Sequence, residues 1–230
     1  MAKIRKTSVP PDRHSRFNEF YSLAFGDYLA ARTLLLAELL PQGAGLAATA
    51  VEKIFKAILS IRNEKVHGHL KTALINSVKN YQPELFTLLR PDFLEFLIVA
   101  YDLRYLDNLS HGHSIVISKY RTLAEIDLTM CTIFSGMAIE QGGTRSPLPF
   151  ERAKIDKNAL LLNENYFIED GNTSRYFIRP NFIQEIKVFG PYELVDITYR
   201  TEFVNSNGSF LKPVNFVKTE NGLTGQLSRG

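Results

Sequence analysis

Four of the five histidines in this chain sit in two identical triplets, His67-Gly68-His69 in KVHGHLKTAL and His111-Gly112-His113 in NLSHGHSIVI. Imidazoles two residues apart can both point one way from an extended segment, and two such segments can supply four nitrogen ligands to a metal. The surroundings argue against that chemistry. A glycine inside each triplet adds flexibility, no carboxylate or cysteine stands at a ligand spacing, and the activating glutamate of an H-E-x-x-H zinc site is absent. The expectation is no metal and no cofactor. A second constellation is Tyr101, Arg104 and Tyr105, spaced to share one helix face that suits stacking a base and holding a phosphate. The bland reading is that both tyrosines pack with their hydroxyls at the surface. Lys3, Arg5 and Lys6 in the start MAKIRKTSVPP are candidate phosphate contacts, or solvated charges on a mobile terminus. No P-loop, dinucleotide-binding glycine pattern or serine-nucleophile motif is present.

Composition bounds the setting. At 230 residues and 45% apolar the chain can bury one large core or two modest ones. Its single cysteine, Cys131, forms no internal disulfide, which fits a reducing compartment. The basic start lacks the apolar stretch of a signal peptide, and no apolar run reaches the ~18 residues of a membrane span. The expected location is cytoplasmic, without a membrane partner. The net charge of +3 is unevenly spread: residues 1–150 hold 17 basic against 14 acidic residues, and residues 151–230 hold ten of each. Residues 1–14 read as a basic flexible arm.

The apolar period changes along the chain. Phe17, Tyr21, Ala24, Tyr28, Ala31 and Leu35 step by three or four, the stripe of an amphipathic helix. PQGAG at 41–45 reads as its break. Ala47, Val51, Ile54, Ile58 and Ile61 mark a second helix, from Leu46 to about Arg62, apolar around most of its circumference and expected at the centre. On its polar side Glu52 and Lys56 are spaced to pair. Further helices are expected from Leu70 to Tyr81, from Pro91, and from a Thr122–Glu125 capping box to Gly142-Gly143. From about 159 the period becomes two. NYFIEDGNTSRYFI reads as a hairpin around Gly171, Val195 to Phe203 alternates strictly, and Pro213 in FLKPVNFVK suggests an edge strand. The expected fold class is α+β: a five-helix bundle over 15–143, then a small antiparallel sheet of about five strands over 150–230.

The stretch AATAVEKIFKAILSIRNEKVHGHLKTAL resembles the HEPN family. The family's second helix reads A-x-x-A-x-E-K-x-x-K-A-x-L, matched by Ala47, Ala50, Glu52, Lys53, Lys56, Ala57 and Leu59. Its Gly-His loop into a leucine-bearing helix is matched by Gly68, His69 and Leu70, and FGDYLAARTLL fits the first helix more loosely. The resemblance covers about residues 15–140 and leaves the sheet region aside. It implies a helical bundle that often dimerises. In many members it also implies a metal-independent ribonuclease acting through an Arg followed by four to six residues and a His. Arg104 and His111 fit that spacing, with His113 as the alternate histidine. The histidine would move protons and the guanidinium would hold a phosphate and offset charge developing at phosphorus. The family's arginine is commonly followed by a polar residue, where this chain has Tyr105. The resemblance makes the first triplet a loop-to-helix junction, in which His69 satisfies backbone groups, and the second the site candidate.

Three functions follow as expectations. The favoured one is an RNA- or nucleotide-associated module with weak or absent catalysis, acting as a homodimer. The others are a ribonuclease using Arg104 and His111, and a protein-interaction module acting through the β region by edge pairing.

Overall fold

The computed structural model describes residues 7–62, 68–103, 113–141, 144–190, 193–204, 210–219 and 222–227. Helix α1 (His14–Leu36) buries the stripe Phe17, Tyr21, Ala24, Tyr28, Ala31 and Leu35 completely. Helix α2 (Leu40–Ser60) lies alongside it. PQGAG is not a break: it forms the first turns of α2, with Pro41 where a missing N–H costs nothing. The reversal falls instead at 37–39, where Glu38 takes a left-handed φ of 64°. Gly43 is needed for close approach, since a Cβ there would stand 2.7 Å from Leu35 Cγ. Glu52 and Lys56 pair at 2.7 Å as their spacing predicts.

Helices α3 (Thr72–Tyr81), the single turn α4 (Pro83–Phe86) and α5 (Pro91–Asp102) follow. Pro91 opens α5 with Asp92 in the first turn, favourable for both backbone and dipole. Helix α6 (Lys119–Gly136) starts three residues before the expected capping box, and Thr122 is fully buried with no partner for its hydroxyl. The expected stripe Leu123, Ile126, Met130, Ile133 and Met137 is buried. So are Arg121, Glu125, Asp127 and Thr129 on the remaining circumference, so α6 shares the central position with α2.

The β elements differ most from expectation. Strands β1 (Thr7–Ser8), β3 (Met137–Gln141) and β4 (Thr144–Ser146) form a small sheet in which β1 runs parallel to β3. The arm expected over 1–14 is thus structured from Thr7 on. Val9 is buried, and His14 donates from Nε2 to the Val9 carbonyl at 2.7 Å. Strand β2 (His113–Ser118), between α5 and α6 in the chain, is the middle strand of the larger sheet. With β5 (Asn181–Gly190), β6 (Glu193–Thr201), β7 (Leu211–Thr219) and β8 (Gly222–Leu227) the order is β6-β5-β2-β7-β8, every pair antiparallel. The sheet is therefore no appendage; its centre is donated by the segment that also supplies the helices. One face carries Ile115, Ile117 and Ile186 into the core. Pro213 is not on an edge, since β7 lies between β2 and β8. Its position is the last one paired with β2, one residue before the β8 ladder starts at Val214.

The expected hairpin at 165–178 is helical. After α7 (Pro149–Ile155) come α8 (Ala159–Leu162), α9 (Tyr166–Asp170) and α10 (Ser174–Phe177). Short aromatic runs do not separate strand from helix by periodicity, and local hydrogen bonding decides. The Asn158 and Asn165 side chains accept the N–H groups of Leu161 and Ile168, capping α8 and α9, and Gly171 closes α9 at φ 70°. Among the described residues no helix is long and apolar enough to cross a membrane.

The contact between Gly43 and Leu35 yields the first prediction. Gly43→Ala should destabilise the protein by about 1–3 kcal/mol, because overpacking forces two helices apart. Chemical denaturation with an unchanged slope would check it, and an equal or higher midpoint would contradict the close approach.

Candidate functional site

Two groups of polar side chains stand out, one partly exposed and one buried. The exposed group joins α2, the Gly68–Leu70 junction and the end of α5. Gly68 adopts φ 97°, a conformation that a side chain would strain, which accounts for the glycine inside the first triplet. The turn brings His69 onto Tyr101, with ring centroids 4.7 Å apart and the tyrosine hydroxyl 2.5 Å from His69 Nδ1. The same nitrogen lies 3.7 Å from Glu52 Oε2. Glu52 is fixed on its other sides, since Oε2 accepts the Leu70 N–H at 2.9 Å and Oε1 accepts from Lys56. A buried carboxylate thus lies beside an imidazole that is 59% exposed and tilted by 35° against a half-buried phenol ring. Among the described residues it is the Glu52 side chain, in place of the expected His69, that satisfies a backbone group at this junction. Such an arrangement can pack against a planar group and donate hydrogen bonds to an anion.

Of the other sequence-predicted site residues, Lys3, Arg5, Lys6, Arg104, Tyr105 and His111 lie outside the described residues. His113 is the first residue of β2, paired across the ladder with Pro213. Among the described residues no group of three or more His, Cys, Asp or Glu is arranged to hold a metal.

The buried group was not legible beforehand. Asp127 on α6 is fully buried, as is Arg32 on α1, whose Nη1 donates to Asp127 Oδ2. Tyr28 donates to Asp127 Oδ1 at 2.6 Å, and the Tyr176 hydroxyl of α10 donates to Oδ2. Asn165 donates to the Tyr28 oxygen at 3.0 Å, while Arg32 reaches the carbonyls of Asn163 and Leu160. Burial lowers the proton affinity of Arg32, but the charge of Asp127 outweighs it and the net shift is upward. Burial, with Asp127 adding to it, raises Tyr28 and Tyr176 well above the ordinary phenol range. Cys131, 3.4 Å from the Tyr28 oxygen, is pushed up to about 12, chiefly by burial. With every donor committed inward, this cluster is structural.

A third cluster lies between the starts of α5 and α6. Arg90 stands 3.6 Å from Glu125 and 3.5 Å from Asp92, and Arg121 stands 3.5 Å from Asp92. The Arg121 guanidinium lies 4.0 Å from the centroid of the Phe210 ring. Burial raises the carboxyl of Glu125 and lowers Arg121, and Arg121 Nε and Glu125 Oε2 have no hydrogen-bond partner.

No family model matches the chain, and no curated protein or solved structure is significantly similar to it. Fold and site together define an α+β protein in which a helical core and an antiparallel sheet share one chain crossing.

Two predictions follow from the buried group. Arg32→Met and Asp127→Leu should each cost about 3–5 kcal/mol, because each strands a buried partner. The double variant should lose less than the sum, as a double-mutant cycle by urea denaturation would show; strict additivity would mean the two residues act independently. Cys131 should resist alkylation at pH 8 in the native state and react promptly in denaturant. Rapid labelling of folded protein would contradict its burial.

Proposed function

We propose that this protein is an RNA- or nucleotide-associated module of the HEPN type, and that it engages its ligand at the end of α5. The observation that carries this reading is the His69–Tyr101 ring contact, hydrogen-bonded through the tyrosine hydroxyl and set beside the buried carboxylate of Glu52. Glu52 and His69 lie in the stretch that carries the family resemblance, and Tyr101 is on α5. The pair supplies what single-stranded nucleic acid requires: an aromatic face for a base, beside a group that can donate to phosphate. The chain continues from Tyr101 into Arg104 and Tyr105, which extend the same chemistry along the sequence.

The test is anisotropy titration of a labelled single-stranded RNA across a salt series, with denaturing-gel analysis in chelator. Wild-type affinity should fall as salt rises. Tyr101→Ala and His69→Ala should weaken binding roughly 5- to 150-fold, the range for loss of one stacked base, while Tyr101→Phe keeps most of it. Undetectable binding, or affinity indifferent to both alanine variants, removes the proposal. Cleavage in chelator that is lost in His111→Ala would turn the module into a ribonuclease, whereas persistent cleavage would remove His111 from the chemistry.

A further inference from the structure

Strand β6 is an edge strand whose charges over 195–201, Asp196 and Arg200, are of opposite sign. It ends the order β6-β5-β2-β7-β8, and among the described residues it pairs with β5 alone. Natural edges are blunted by charged side chains, lysine above all, and by proline, bulges or short length. Over 195–201 this strand has neither lysine nor proline, and the only irregularity in its ladder lies at its far end, between Val188 and Gly190. Val195, Ile197 and Tyr199 alternate along one face with 43%, 39% and 36% of their surface exposed. Strict alternation is the pattern of a half-buried strand, and here this row is open.

The opposite face of the strand carries charge in a self-complementary arrangement. Asp196, Thr198 and Arg200 share the face on which Asp196 accepts from Gln184 and Arg200 lies over the Phe182 ring. Residues facing one another across an antiparallel pair occupy the same face, so two copies of β6 can pair only in registers that keep odd with odd and even with even. A two-fold at Asp196 sets that carboxylate against itself. A two-fold at Ile197 places Asp196 opposite Thr198 and leaves Arg200 without an acid, and one at Tyr199 sets Asp196 opposite Glu202. A two-fold at Thr198 differs from all of these. It places Asp196 opposite Arg200 twice, Ile197 opposite Tyr199 twice and Val195 opposite Thr201 twice.

We propose that the occupant of this edge is a second copy of the chain, joined β6 to β6 in antiparallel register about Thr198. The two five-stranded sheets then form one continuous sheet across an isologous interface. Arg200 is suited to the role: its side chain is 70% exposed, while Glu38 holds the guanidinium at 2.8 and 3.1 Å and so limits its motion. Burial and the charge of Glu185 raise the Tyr199 phenol, so it meets Ile197 of the other copy as a neutral ring. This interface is independent of the nucleic-acid reading.

Sedimentation velocity on the full chain tests it. Wild-type protein at about 50 μM should run near twice its 26.1 kDa mass. Asp196→Arg or Arg200→Asp alone opposes like charges at both pairs and should weaken the dimer at least about tenfold. An equimolar mixture of the two variants restores both opposite-charge pairs and should recover the dimer as a heterodimer. Ile197→Lys leaves Asp196, Arg200 and Glu38 untouched and should also yield monomer, with the far-ultraviolet circular dichroism of the wild type. It provides the decisive reading if Arg200→Asp disturbs folding through Glu38. A monomeric wild type overturns the proposal, and so does a dimer indifferent to the charge reversals and to Ile197→Lys. Failure of the mixture to recover the dimer overturns the register.

Discussion

A single carboxylate, Asp127, organises the interior. It accepts from Arg32 and Tyr28 on α1 and from Tyr176 on α10, so three segments distant in sequence must arrive together before its charge is satisfied. Removing an ion pair from water costs several kcal/mol per ion, and attraction offsets this only where geometry and additional hydrogen bonds are complete. Here they are nearly complete, since Arg32 also binds two backbone carbonyls and Tyr28 accepts from Asn165. A network satisfied to this degree specifies one arrangement, because a slip of α1 against α6 by one turn would leave buried charge unpaired. Aromatic packing reinforces the choice, with Phe134 of α6 set among Tyr21, Phe25, Tyr28 and Phe150.

A second set of contacts ties helices to sheet. Arg200 of β6 holds Glu38 at the α1–α2 turn, and Lys119 at the start of α6 lies 3.6 Å from the same carboxylate. Both keep the Glu38 carboxyl below the usual carboxylate range, the bond from Arg200 first. At the start of β5, Asn181 binds Ser118 and the Tyr120 N–H, fixing the passage from β2 into α6. The exposed His69–Tyr101 pair rests on this frame through Glu52, whose Lys56 partner and Leu70 N–H hold the carboxylate still. Rigidity at the site thus comes from α2, which is packed on nearly all sides.

Much of the helical half was readable from spacing alone. The α1 stripe, the circumferential burial of α2, the Glu52–Lys56 pair and Pro91 at the head of α5 all follow from periods and propensities acting within a few residues. The readings that failed share a cause. PQGAG looks like a breaker locally, yet its glycine serves contact with Leu35 on another helix. NYFIEDGNTSRYFI has strand-forming residues, but asparagine caps, Gly171 and burial of Tyr166 and Tyr176 make it helical. Val195 to Tyr199 alternate as a buried strand would, yet the strand lies at an edge with that row open. Of the candidate site, the sequence pointed to His69 and Tyr101 separately; their contact across 32 residues was not visible in either neighbourhood.

By itself, then, the sequence determined which stretches of the helical half would coil, which of their residues would turn inward, and that an antiparallel sheet would follow. Those outcomes depend on the regular geometry of short backbone segments. Tertiary structure alone decided that HSIVIS would become the middle strand, that Asp127 and Arg32 would find each other, and that β6 would stay open. Each is a pairing between groups far apart in the chain, chosen by the cost of leaving a hydrogen-bonding or charged group buried without a partner, and no local pattern encodes that cost.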